Sequence, residues 1–68
     1  MRLEYDKEAD AAYIYLKDQI KRGEVKNTIS ISETINLDFD KSRKLLGIEI
    51  LHTSKSIPKT DILERAVA

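Results

Sequence analysis

The chain has 68 residues, twelve basic and twelve acidic, and no cysteine. That is one domain, near the lower size at which a chain folds alone, and it excludes a disulfide scaffold. Balanced charge gives no long-range field to favour nucleic acid or an anionic membrane. No apolar run approaches the roughly 18 residues needed to span a bilayer.

From the N-terminus, Arg2 to Tyr5 alternates charged and apolar residues, the period of a half-buried strand. No apolar signal-type segment precedes it, so a cytoplasmic protein is expected. Asp6 to Asp10 interrupts the pattern with turn and cap chemistry. Ala11 to Leu16 resumes as strand, with Ala12, Ile14 and Leu16 on one face and Tyr13 and Tyr15 on the other. Apolar character on both faces predicts a central strand, or one whose second face meets a partner. Lys17 to Glu24 is polar, contains Gly23 and reads as a loop.

From Val25 onward Ile29, Ile31, Ile35, Leu37 and Phe39 fall on odd positions. At Ser32-Glu33-Thr34 either a tight turn makes a hairpin or a bulge bends one long strand. A turn is favoured, because an unbroken strand would be about twice the usual 5–6 residues. Asp40 to Lys44 forms a polar hairpin loop, and Leu46, Ile48 and Ile50 form the inward face of the next strand. Gly47 within that strand signals a bulge or a close backbone approach.

Beyond His52-Thr53-Ser54 the pattern becomes helical. Ser56 can cap, Pro58 fits a first turn, and Asp61 and Glu64 lie toward the positive end. Ile62, Leu63, Ala66 and Val67 make an apolar stripe at helical spacing. So short a helix must dock, on its own sheet or on a neighbouring subunit. The expectation is a small α+β fold: an antiparallel sheet of four to five strands with a short C-terminal helix, one domain over residues 1–68.

Four sets of residues invite chemistry. Asp6, Glu8 and Asp10 set hard oxygen donors at alternate positions. A calcium-binding EF-hand needs glycine at the sixth position and a bidentate glutamate at the twelfth. Counted from Asp6, those places hold Ala11 and Lys17. Asp6 therefore reads as the cap of one helical turn and Asp10 as its end. A weak divalent-metal or small-ligand site on Asp6, Glu8 and Asp10 is the alternative reading. Asp38 and Asp40 flank Phe39 on the polar face and read as turn formers, with Glu49 near enough to complete a small acidic patch. His52, the single imidazole, lacks the partner nucleophile and orienting group that a general base requires. It reads as a surface residue, and no catalytic residue or cofactor is assigned. Tyr13 and Tyr15 offer stacking platforms for RNA bases, but the charges near them are mixed. Packing under the helix or at a dimer interface suits them better, since tyrosine combines apolar area with a hydroxyl that stays hydrated.

The order Tyr5-Asp6-x-Glu8-Ala9-Asp10-Ala11-x-Tyr13-Ile14, then Ile35-Asn36-Leu37-Asp38-Phe39-Asp40, then Leu46-Gly47-Ile48-Glu49-Ile50 resembles the small prokaryotic domain-of-unknown-function family numbered 2283. The resemblance covers roughly residues 3–52. The chain departs from it at Lys41-Ser42-Arg43-Lys44, which lacks the glycine common in that family's turn. The resemblance brings no catalytic residues with it. It is compatible with an antitoxin-like role, since some such small domains sit beside toxin-like partners.

With no disulfide and no ligand cluster for a structural metal evident, oligomerisation is the remaining common way for so small a chain to gain burial. The expected protein is a non-enzymatic homodimer that also binds another small protein, with no nucleic-acid or membrane partner. Its interface candidates are Tyr13, Tyr15, Ile62, Leu63 and Ala66.

Overall fold

A computed structural model describes residues 1–58. Five strands and one short helix follow in order: β1 (Arg2–Asp6), β2 (Ala11–Tyr15), β3 (Asn27–Ser30), β4 (Ile35–Phe39), β5 (Leu45–Ile50) and α1 (Thr53–Ser56). They form a single antiparallel sheet in the order β1-β2-β5-β4-β3. The last strand is therefore the middle of the sheet. The hairpin β1–β2 lies on one side of it and the hairpin β3–β4 on the other.

Register follows from the alternation in sequence. Opposed residues of an antiparallel pair share a face. Leu3↔Ile14, Ile14↔Ile48, Ile48↔Leu37 and Leu37↔Ile29 carry one apolar row across all five strands. Glu4↔Tyr13, Tyr13↔Glu49, Glu49↔Asn36 and Asn36↔Ser30 carry a polar row on the reverse face. A slip of one residue in any strand would exchange its two faces, so the apolar row fixes the register.

The turns are held by short polar side chains. Asp6 Oδ1 accepts the backbone N–H groups of Glu8 (3.0 Å) and Ala9 (3.2 Å), as expected of a capping aspartate. Ser32 Oγ accepts the Ile35 N–H at 3.1 Å, which closes the β3–β4 hairpin. The Ser32–Thr34 segment is thus a turn. Asp40 Oδ1 accepts from Ser42 N (2.8 Å) and Lys44 N (2.9 Å) in the β4–β5 hairpin. Those backbone bonds to Lys44 and Ser42 hold its carboxyl below the usual carboxylate range. Next to this turn Asp38 opposes Gly47 while Phe39 opposes Leu45. Leu46 is the extra residue of a bulge, and the kink drives it inward to 4% exposure.

A short helix stands ahead of the region expected to be helical. The described helix is α1, four residues long, and it begins where a strand end was anticipated. Ser56, expected as a cap, is its last residue. Its hydroxyl contacts the carbonyls of Leu51 and His52, and Ile57 is extended at φ −130°. The reason is tertiary: Thr53 N–H and Oγ both donate to the Asp10 carbonyl, and Oγ also lies 2.9 Å from Ile50 O. Thr53 is fully buried by this docking. The predicted stripe of Ile62, Leu63, Ala66 and Val67 lies outside the described residues.

Arg43 adopts a left-handed backbone (φ 66°) in the β4–β5 turn, the hairpin that lacks a glycine. A β-carbon there costs on the order of 1 kcal/mol. Arg43→Gly is predicted to raise stability by up to about 1 kcal/mol in urea denaturation, with the m-value unchanged.

Candidate functional site

The polar face is a network that spans the sheet. On its β1–β2 side the Arg2 guanidinium lies 4.0 Å from the centre of the Tyr15 ring, and Tyr15 OH donates to Glu4 Oε1 at 3.1 Å. Tyr13 and Tyr15 meet edge to face, their ring centres 4.7 Å apart. Tyr13 then reaches diagonally over Gly47 of β5 and donates to Asp38 Oδ2 of β4 at 2.7 Å. Thr28 of β3 donates to the other oxygen of Asp38, also at 2.7 Å. A second line runs beside it: Ser30 Oγ donates to Asn36 Oδ1, and Asn36 Nδ2 donates to Glu49 Oε1 at 2.8 Å.

Gly47 makes the crossing physically possible. A β-carbon at this position would overlap the Tyr13 ring and hydroxyl. Its backbone is outside the left-handed region, so the glycine supplies space rather than conformational freedom. Burial beside the Asp38 carboxylate pushes the Tyr13 phenol well above its ordinary pKa. Tyr13 therefore keeps its proton and donates to Asp38 throughout the physiological pH range.

Asp10 is a second junction. Its left-handed backbone (φ 51°) ends the β1–β2 turn, a conformation that aspartate tolerates. Its carboxylate accepts Tyr5 OH (2.7 Å), Ser54 N (3.0 Å) and Ser54 Oγ (2.7 Å). The first turn of the chain is thereby tied to α1. Hydrogen bonds from Ser54 and then Tyr5 hold the Asp10 carboxyl below its ordinary value. Asp6 binds its own turn, while Glu8 is exposed. Among the described residues no group of three His, Cys, Asp or Glu side chains is gathered to hold a metal ion.

Asp38 and Asp40 share a strand end but serve different ends: Asp38 anchors the polar face and Asp40 the hairpin. Glu49 occupies the same face as Asp38, as its register requires. His52 is exposed, with a left-handed backbone at the start of α1. Tyr13 and Tyr15 lie together as expected; Ile62, Leu63 and Ala66 lie outside the described residues. The sequence signalled the close approach at Gly47 but not which side chain uses it. The Asp10–Ser54 bond had no local signal, because it joins residues 44 positions apart.

The apolar face contrasts with this bonded polar face. Of the described hydrophobic side chains only Ala12, Leu46 and Ile50 are buried, while Ile29 and Ile31 are 52% and 58% exposed. The α1 helix covers only the end of the sheet near Asp10. No helix among the described residues is long and apolar enough to cross a membrane.

Fold and site together define a small α+β protein built on one five-stranded antiparallel sheet, polar and cross-linked on one face and apolar on the other. The chain belongs to the family described as "Protein of unknown function (DUF2283)", whose model matches residues 2–54. That span ends at Ser54, so it takes in all five strands and the Asp10–Ser54 junction. No curated protein and no solved structure matches the chain significantly.

The Asp10 network gives a prediction. A carboxyl whose folded pKa is depressed contributes stability above its unfolded value of 3.8, and this is lost as pH falls through the lower folded value. Asp10→Asn keeps a side chain that tolerates the left-handed backbone but removes the charge. It is predicted to lower stability at pH 7 and to flatten the loss of stability as pH falls below 3.8. Denaturant titrations of both proteins across that range check it.

Proposed function

We propose that this protein is a non-enzymatic interaction module that acts as a homodimer through its sheet and engages a further small protein. The observation that carries the reading is the apolar face, which the described residues leave incompletely covered. Leu3, Ile14, Leu37 and Ile48 stand in one row and are only half-buried. A sheet with one polar and one apolar face is stable when the apolar face packs on another layer. Each 100 Å² of apolar surface removed from water is worth about 2.5 kcal/mol, a large gain for a chain of this size.

The polar face supports the same conclusion from the other side. Its side chains bond to one another: Tyr13 to Asp38, Tyr15 to Glu4 and Asn36 to Glu49. A nucleophile or base must be left able to reach a substrate, and these groups are spent on structure. Family membership brings no activity with it. An antitoxin-like role, in which the exposed apolar surface covers part of a partner protein, is consistent with this architecture.

Sedimentation equilibrium or light scattering is the test. At tens of micromolar the mass is predicted to be twice the 7.8 kDa of the chain. A particle that stays monomeric up to about 1 mM, where association would contribute no more than about 4 kcal/mol, overturns the homodimer.

A further inference from the structure

We infer that the homodimer is made by β3 pairing antiparallel with β3 of a second copy about a two-fold axis at Ile29, which joins two sheets into one of ten strands. This rests on the homodimer reading above and places its interface at the sheet edge, so the row of Leu3, Ile14, Ile48 and Leu37 stays available to the further small protein.

The backbone sets the first condition. Ile31 N–H donates to Ile35 O, so the odd-numbered residues of β3 bond to β4. The N–H and C=O groups of Thr28 and Ser30 therefore point to the open side of the sheet. A two-fold at Ile29 brings Thr28 opposite Ser30 of the second copy, and the converse. Those are the residues whose outward groups can exchange hydrogen bonds. Shifting the register by one residue would set an outward-bonding residue against an inward-bonding one.

Side chains supply the second condition. Opposed residues share a face, so the same register sets Ile29 against Ile29 and Ile31 against Asn27 on the apolar side. Asn27 in turn opposes Phe39 of β4. A groove of about 410 Å³, lined by Asn27, Thr28, Ile29, Phe39 and Arg43, lies at that place. Ile31 of the second copy enters this groove, and the symmetry fills the equivalent groove on the other copy. The two most exposed isoleucines among the described residues, Ile29 and Ile31, are thereby covered.

Charge agrees. The pairing brings Glu33 at the β3–β4 turn alongside Val25 and Lys26 of the second copy, and Glu33 and Lys26 are both exposed. The opposite edge is guarded instead: β1 carries Arg2, Glu4 and Asp6 in its five residues, whereas Asn27 to Ile31 carries no charge. Natural edge strands are kept from pairing by such charges, and β3 lacks them.

The chain has no cysteine, so single cysteines report the register directly. At a non-hydrogen-bonded antiparallel pair the two α-carbons are about 4.5 Å apart, within reach of a disulfide. Ile29→Cys is predicted to oxidise to a covalent dimer at least about tenfold faster than Ile31→Cys, whose two copies lie four residues out of register. Circular dichroism of both variants checks that the sheet is kept. Equal rates for the two variants, or no cross-link at position 29 in a protein that still sediments as a dimer, overturn this interface while leaving the homodimer standing. A monomeric wild-type chain overturns both.

Discussion

The contact on which the sheet depends is the Tyr13 ring laid across Gly47 with its hydroxyl on Asp38. Within the sheet, each strand is held to its neighbour by a backbone ladder and opposed side chains. Tyr13 adds a direct link between β2 and β4, passing over β5 between them. A hydrogen bond to a charged group contributes about 1.5–3 kcal/mol, a large share of the stability of a small domain. Thr28 takes the other oxygen of Asp38, so the link continues to β3. Gly47 is the condition for all of it, since any β-carbon would occupy the space of the ring.

Asp10 does for the end of the chain what Tyr13 does for its middle. One carboxylate collects Tyr5 and Ser54, while its carbonyl receives Thr53. The turn between the first two strands thus holds the segment that follows the last one. Both junctions use acids that look, in the sequence, like a metal or catalytic set. Their oxygens are instead filled by hydroxyl and amide donors from the chain itself. The polar face is the internally satisfied one, and among the described residues the exposed apolar side chains lie on the opposite face and at β3.

Much of this was legible in the residues. The alternation from Ile29 to Phe39 and from Leu46 to Ile50 gave the strands, because period-two patterning leaves little choice when one face must be buried. Asp6 and Asp40 were read as turn formers from local chemistry, and each bonds its own backbone as such residues do. Gly47 announced a close approach. What stayed hidden was non-local: that β5 lies between β2 and β4, that Tyr13 is the side chain over Gly47, and that Asp10 reaches Ser54. Pairing of strands so distant in sequence depends on three-dimensional packing that no short motif encodes. The short helix α1, ahead of the helix expected after Ser56, went unseen for the same reason. Thr53 and Ser54 are poor helix formers by themselves, and Asp10 supplies the partners that hold them.

A double-mutant cycle on Tyr13 and Gly47 in urea tests the central contact most directly. Overpacking at Gly47→Ala is predicted to cost about 1–3 kcal/mol in the wild-type background. In a Tyr13→Ala background, where the space is empty, the same substitution is predicted to cost almost nothing. Equal costs in the two backgrounds would contradict the account, because Gly47 would then be needed for something other than the ring that crosses it.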